Sequence, residues 1–289
     1  MYLVTGATGN VGGEVVSLLL ARGEKVRVFT RQPEKLGSWS ANVDVAVGDF
    51  DNPESLTRAM DGVRGVFLMS QGPDSKSFQR VVQAIKAGGG NRVVFLSSVL
   101  ASQPECDLGR LHLEKEAAIR EAGLDGKFLR ATGFMTNSYQ WIGTIKEQGK
   151  VYNALGEAKF PAIAGEDIAA VAVRALTDPA LDSEVFELTG GELISVPEEV
   201  KILGKVLGRE LECVEIPLEV AIQNMIRSGL PQKIAEGVGQ SLGSVRNGRA
   251  AAVVDTVEKV TGQAPMTYQA WARKHAARFA QAINGSRVN

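Results

Sequence analysis

The sequence lacks an excess of charge of either sign. Its 32 Lys and Arg residues are balanced by 33 Asp and Glu residues, which leaves a net charge of −1. A chain with this balance has no long-range field that would recruit nucleic acid or an anionic membrane. We therefore expect a small-molecule substrate and no nucleic-acid or membrane partner. We further expect a monomer or homodimer.

The sequence also contains little cysteine. Cys106 and Cys213 are the only two, and their spacing matches neither a metal site nor a redox pair, so we predict no metal centre. No apolar run approaches the roughly 18 residues needed to cross a bilayer. Met1–Val4 already has the pattern of a strand rather than of a signal sequence. These absences lead us to expect a reduced, cytoplasmic protein.

The first 130 residues alternate short apolar runs with amphipathic stretches of helical length. Nearly all-apolar strands separated by helices indicate a parallel sheet covered on both faces. The predicted strands are Tyr2–Thr5, Lys25–Thr30, Val43–Val47, Gly65–Met69, Arg92–Ser97 and Lys127–Arg130. We predict an α/β fold with a doubly wound, mostly parallel Rossmann sheet in residues 1–150.

A smaller, mostly helical C-terminal lobe is predicted in residues 151–289, partly interleaved with the sheet. The pattern beyond residue 130 indicates helices at 134–148, 166–177, 197–207, 218–228, 250–261 and 268–283, with strands at 185–188 and 211–216. In such folds a second lobe forms the far wall of the ligand cleft, so we expect it to bind the substrate.

A glycine-rich turn joins the first predicted strand to the first predicted helix. Gly6 permits a tight turn, Gly9 lets the backbone approach a pyrophosphate, and Gly12 allows the helix to pack closely on the strand. The N–H groups at the start of the helix would bind the anion. The turn therefore predicts a dinucleotide site formed by Gly6, Thr8, Gly9, Asn10, Val11 and Gly12.

The end of the second strand predicts which dinucleotide binds. An acidic residue there would bind the ribose 2′-hydroxyl of NAD, but the chain reads Phe29-Thr30-Arg31-Gln32. Arg31 suits a 2′-phosphate, because its guanidinium offers a fork of donors and stacks on adenine. We therefore predict that the cofactor is NADPH.

Further cofactor contacts are expected where the next strands end. Asp49 and Phe50 either bracket the adenine or, in the case of Asp49, cap the turn before Asn52. The nicotinamide ribose is expected to lie over the backbone at the end of the fourth strand, and the fifth strand ends in two serines. The residues predicted here are Met69, Ser70, Gln71 and Ser97 for the cofactor and Ser98 for a substrate carbonyl. A hydrogen bond at the strand end is the alternative for the hydroxyls of Ser97 and Ser98.

Eight segments resemble the NmrA-like branch of the atypical short-chain dehydrogenase/reductases. They are GATGNVG, FTR, GDFDN, VVFLSS, HLEKEAAIREAGL, FLRATGFMTN, DIAAVAVRALTD and FELTGG, in this order along the chain. That branch includes NADPH-dependent quinone and triphenylmethane-dye reductases, isoflavone-type reductases, and regulators that bind a dinucleotide without turnover. The resemblance therefore implies either a reductase or a dinucleotide sensor.

The chain departs from this pattern at the Tyr-x-x-x-Lys pair. Aligning Glu116 with the glutamate that follows this pair places His112 at the lysine and Leu108 at the tyrosine. The usual tyrosine acid is therefore missing. His112 is a candidate proton donor or ribose ligand near pH 7, or a histidine satisfied on a helix surface.

An aromatic-rich segment follows the sixth strand, and the resemblance implies that it crosses the mouth of the cleft. Such a wall would suit a flat conjugated substrate, although helical spacing allows about half of it to be core. Its candidate substrate residues are Phe134, Met135, Asn137, Tyr139 and Trp141.

We therefore expect an NADPH-dependent oxidoreductase that transfers a hydride to a small planar conjugated acceptor, such as a quinone, enone or iminium. The alternative is an NADP-binding regulatory or sensor protein without turnover. A sugar-nucleotide epimerase is disfavoured, because that chemistry needs the missing tyrosine.

Overall fold

The computed structural model describes residues 1–69, 75–249 and 252–284. Its contacts divide the chain into two units. The first comprises Met1–Ala131, Gly165–Leu188 and Thr256–Gln263, and the second comprises Thr132–Ala164, Thr189–Asp255 and Ala264–Asn289. This division differs from the predicted boundary at residue 150, because the chain leaves the first unit after Ala131 and re-enters it twice.

The first unit is built on a seven-stranded sheet. Its strands are β1 (Tyr2–Thr5), β2 (Val26–Thr30), β3 (Asp44–Val47), β4 (Gly65–Leu68), β5 (Arg92–Ser98), β6 (Asp125–Ala131) and β9 (Val185–Leu188), and every neighbouring pair is parallel. The spatial order is β3-β2-β1-β4-β5-β6-β9. The order reverses between β1 and β4, which is the switch point where doubly wound sheets bind ligands. The predicted Rossmann sheet is confirmed.

The first unit also contains helices, most of which connect these strands, whereas the last of them follows β9. They are α1 (Asn10–Ala21), α2 (Pro53–Ala59), α3 (Ser75–Ala87), α4 (Asp107–Glu121), α6 (Gly165–Thr177) and α10 (Thr256–Thr261), with short 3₁₀ segments at Pro33–Ala41 and Val99–Ser102. The local sequence sets the ends, as when α1 stops before Gly23, whose φ is +73°. The apolar core includes Leu3, Val66, Phe95 and Phe128, all fully buried.

The second unit is mostly helical, as predicted, and also contains two small sheets. Its elements are α5 (Ile142–Gln148), β7 (Lys150–Asn153), β8 (Lys159–Phe160), β10 (Ile194–Ser195), α7 (Val196–Leu207), β11 (Glu212–Glu215), α8 (Leu218–Arg227), α9 (Gln232–Arg246), α11 (Tyr268–Lys274) and α12 (Ala276–Asn284), preceded by a 3₁₀ segment at Met135–Trp141. β10 pairs with β8 and β11 with β7. The core includes Trp141, Tyr268, Trp271 and Phe279.

Three helices that follow β9 differ from the sequence-based prediction. α9 was not predicted, because its glycines lower helix propensity; Gly239 instead makes room for Ile222, whose Cγ1 would lie 2.7 Å from an added Cβ. The first two residues of the helix predicted at 250–261 lie outside the described residues, and of the rest only Thr256–Thr261 is helical. The one predicted at 268–283 is interrupted at His275.

Among the described residues, no helix is both long enough and apolar enough to cross a membrane.

Candidate functional site

The glycine-rich turn is shaped by close backbone approaches. Gly6 has φ +65°, and a Cβ on it would overlap the Cε atom of Met69. A Cβ on Gly12 would overlap the carbonyl oxygen of Gly6 and lie 2.6 Å from its carbonyl carbon. Thr5 ties β1 to the end of β4, because its Oγ1 accepts from the N–H of Met69 at 2.8 Å. The turn therefore has no room for a side chain at Gly12, and the positive φ of Gly6 disfavours any residue but glycine there.

The N-terminus of α1 has the features of an anion-binding site. Gly9 is the N-cap, and its N–H donates to the carbonyl of Gly6 at 2.9 Å. Within the described part of the chain, no side chain caps this helix by a hydrogen bond, and its first turn has no acid. The N–H groups of a helix start attract negative charge, so this terminus suits a phosphate group. Thr8, Asn10 and Val11 belong to the same turn.

Arg31 directly follows β2 and extends into solvent. Its side chain is 76% exposed, and its Nη1 lies 3.8 Å from Oδ2 of Asp49. Asp49 also caps its own turn, since its Oδ1 accepts from the N–H of Asp51 at 3.1 Å. The ring of Phe50 stacks on Phe29 at 5.7 Å between centroids. The structure thus brings Arg31 and Asp49 together and gives Asp49 the turn-capping contact that was one of its two predicted roles.

His112 lies in α4, in an environment that disfavours the charged form of its imidazole. Burial lowers the pKa of His112 to about 4, and the nearby charge of Lys115 acts in the same direction while Glu116 opposes it. Its Nδ1 is buried and has no hydrogen-bond partner among the residues that the structure describes. This environment favours the predicted hydrogen bond to the ribose over proton donation near pH 7, and both roles of His112 remain predictions. A neutral imidazole can still form hydrogen bonds.

A buried ion cluster lies on the same helix, and the sequence analysis did not identify it. Glu116 is fully buried; its two carboxylate oxygens accept from Nε and Nη2 of Arg130 at 2.9 and 2.7 Å. Ser97 donates its hydroxyl to the same carboxylate at 2.7 Å. The cluster therefore joins α4 to the ends of β5 and β6.

The two serines at the end of β5 already have internal partners. Ser97 is 4% exposed, and its hydroxyl donates to Glu116. Its predicted contact with the cofactor remains a prediction. The Oγ of Ser98 accepts from the N–H of Leu100 at 3.2 Å, which is the predicted strand-end alternative for that residue. Ser70 and Gln71 lie outside the described residues.

Lys115 was also missed. It is 3% exposed, and its ammonium lies 5.5 Å from the centroid of the Phe78 ring. Burial lowers its pKa. A positive residue in an amphipathic helix ordinarily indicates a solvated face, so only the tertiary structure could show that Lys115 is buried.

The predicted aromatic wall belongs largely to the core of the second unit. Met135 is 1% and Trp141 is 8% exposed. The ring of Tyr139 packs 5.0 Å from that of Phe279. These contacts favour the predicted core alternative for Met135, Tyr139 and Trp141, whereas Phe134 is half-buried and Asn137 is exposed. The substrate contacts of this segment remain a prediction. Helical spacing could not separate the two sets.

The sequence of the chain matches the model of the NmrA-like family over residues 2–267. The chain belongs to the NmrA-like family. The resemblance found in the eight sequence segments is confirmed.

Two relatives of this NmrA-like chain align over almost their full lengths. The (4-alkanoyl-5-oxo-2,5-dihydrofuran-3-yl)methyl phosphate reductase of Streptomyces griseus is 35% identical, covering 97% of this chain and 99% of the relative. The NAD(P)H azoreductase of Xenophilus azovorans is 33% identical, covering 98% and 100%.

The fold is also found in a solved structure. The NADPH-dependent quinone oxidoreductase of Escherichia coli, solved with NADPH, has a TM-score of 0.81 at 22% identity, covering 95% of this chain and 99% of that one. At this level of identity the likeness establishes the fold alone.

Proposed function

We propose that this NmrA-like protein is an NADPH-dependent reductase that transfers a hydride to a small planar conjugated acceptor, such as a quinone, an enone or an iminium. The observation that carries the proposal is the turn between β1 and α1. A side chain at Gly12 would collide with the backbone of Gly6, whose φ is +65°. The helix start next to them has no side-chain cap and no acid in its first turn. This combination suits a pyrophosphate that approaches the backbone closely.

NADPH rather than NADH is favoured by the residue after β2. Arg31 is exposed, and its ion pair with Asp49 is long, at 3.8 Å. Little stabilisation is therefore lost when its guanidinium turns to a 2′-phosphate. NADPH supplies the hydride when bound, and the residues of this chain hold and orient it. We propose that Gly6, Gly9, Gly12 and Arg31 carry most of this contact.

The conjugated acceptor is supported by the acid-base groups of α4. Leu108 stands where the resemblance would place a tyrosine acid, and His112, with a pKa of about 4, is neutral at pH 7. Reduction of an isolated ketone builds a localised alkoxide, and a positioned acid contributes roughly 10²–10⁴ to such a rate. A conjugated or cationic acceptor spreads or neutralises the charge, so orientation can suffice.

The activities of the relatives agree with this class of acceptor. The Streptomyces griseus enzyme reduces a substrate whose name specifies a ring double bond next to carbonyl groups, and the Xenophilus azovorans enzyme reduces azo compounds. The family and these two activities together favour a reductase over a sensor.

The test combines binding with turnover. NADPH binding is measured by calorimetry, and NADPH oxidation is followed by absorbance against quinones, enones, imines and simple aliphatic ketones. We expect binding together with oxidation by the conjugated acceptors only. Binding without turnover of any acceptor would favour the sensor. Rapid turnover of a simple ketone would contradict the proposed acceptor class, because it would require a positioned acid.

A further inference from the structure

The segment after β2 returns to the first turn of α1. It runs as a 3₁₀ segment over Pro33–Ala41, and the indole of Trp39 lies against Gly13 of α1. A Cβ built on Gly13 would lie only 2.8 Å from Cη2 of Trp39. The six-membered ring of the Trp39 indole therefore packs against the helix backbone at Gly13, one turn after the N-cap Gly9. None of the contacts assigned above to the dinucleotide uses this pair.

Two other features fix the course of this segment. The 3₁₀ segment is interrupted at Gly37, whose φ of 55° and ψ of −130° turn the chain. Leu36 is 3% exposed and anchors the segment in the core just before that turn. Trp39 follows two residues after the turn, and its backbone oxygen accepts from the N–H of Asn42 at 2.8 Å. The segment is therefore held at Leu36 and again at Trp39.

Arg31 lies at the start of this segment. Its backbone follows β2 directly, but its side chain is 76% exposed and makes one long ion pair. A guanidinium on a loosely held loop must be ordered before it can bind a phosphate, and that ordering reduces affinity. A loop held in place by packing avoids much of this cost.

We propose that Trp39, wedged on Gly13, is a positioning residue that sets the selectivity of this protein for the adenosine 2′-phosphate. It acts through the segment that begins with Arg31 and touches no ligand itself. The inference rests on the proposed dinucleotide site and names what makes that site selective. It also explains why α1 has a second glycine at position 13, where a larger residue would displace the indole.

The experiment compares NADPH with NADH in the folded full-length chain. Dissociation constants for both are measured by calorimetry at one salt concentration, with adenosine 2′,5′-bisphosphate and ADP as fragment probes. We expect Trp39→Ala to lose about tenfold in NADPH affinity while NADH affinity changes by less than about twofold. Trp39→Phe should retain most of the preference, and Arg31→Ala should abolish it.

Gly13→Ala tests the contact between Trp39 and Gly13 by changing the residue on α1. It should reduce the NADPH preference in the native background, and most of this effect should disappear in Trp39→Ala, where the indole is absent. The added Cβ would also lie 3.2 Å from the carbonyl oxygen of Ala7, and any loss that remains in Trp39→Ala measures that second approach. Gly143→Ala is the matched control, since Gly143 also lies in a helix but no atom among the described residues approaches its added Cβ within 4 Å. Gly13→Ala carries the test by itself if Trp39→Ala does not fold.

Equal losses of NADPH and NADH affinity, or an unchanged preference in both variants, would overturn the inference. In either case the native protein would still bind NADPH, and the proposed function would stand. If the native protein bound neither dinucleotide, the proposed function and this inference would both be rejected.

Discussion

Replacing the buried Glu199 by glutamine should stabilise the protein in mildly alkaline solution. Glu199 lies in α7 and is 3% exposed. Burial raises the pKa of its carboxyl to about 8, and the nearby charge of Glu192 acts in the same direction. The native state therefore holds this group protonated at neutral pH, whereas the unfolded chain ionises it near the usual value of 4.5.

The sign and size of the effect follow from proton linkage. Between pH 4.5 and 8 the native state binds one more proton at this site than the unfolded state, so stability falls as pH rises. Each pH unit in this window costs about 1.4 kcal/mol. From pH 5 to pH 8 the site therefore removes about 3–4 kcal/mol, which Glu199→Gln should restore because the amide cannot ionise.

Urea unfolding at pH 5, 6.5 and 8 measures this directly. The gain in unfolding free energy for Glu199→Gln over the native chain should increase with pH. Glu210→Gln, which alters an exposed carboxylate, is the matched control and should show no such trend. A gain independent of pH, or a loss at pH 8, would refute the assignment of a protonated Glu199.

Three further substitutions test other parts of the structure. Gly12→Ala should abolish NADPH binding in calorimetry, since its Cβ would overlap the carbonyl of Gly6; retained affinity would mean that the turn is not the phosphate site. Glu116→Leu should lower the unfolding free energy by about 3–5 kcal/mol in urea, because it leaves the guanidinium of Arg130 buried without its carboxylate; a loss below 1 kcal/mol would show that the cluster contributes little. The pKa of His112 is lowered from 6.5 to about 4 in the folded protein. Between these two pH values the unfolded chain therefore binds one more proton at this histidine than the native state does. Stability should therefore fall by up to about 3 kcal/mol as pH drops from 6.5 to 4, and His112→Gln should flatten that fall; an unchanged slope would exclude a neutral, buried His112.

The fold could be predicted from sequence because its signals are local. The strands are short and apolar, and α1 and α3 end at or just before a glycine. The turn at Gly6–Gly12 requires its neighbours to be a strand and a helix. Each of these patterns depends on residues within about one turn of each other. The strand order then follows from the few topologies open to such a sheet.

The candidate site was predicted less completely, because several of its residues are defined by contacts between distant parts of the chain. Arg130 and Glu116 lie 14 residues apart on different elements, and Trp39 meets Gly13 across a strand and a turn. Neither pair has a sequence pattern. Likewise, the spacing of Met135 and Trp141 fits a ligand wall and a core equally well, and only the packing distinguishes them.

The most direct test of the account follows the hydride itself. NADPH carrying deuterium at the reactive carbon is incubated with the protein and an enone, or with a saturated aliphatic ketone of similar size, and the products are analysed by mass spectrometry. The account predicts deuterium on carbon in the reduced enone and almost none in the product from the ketone. Tight NADPH binding with no deuterium transferred to the enone, or equal transfer to both acceptors, would contradict it.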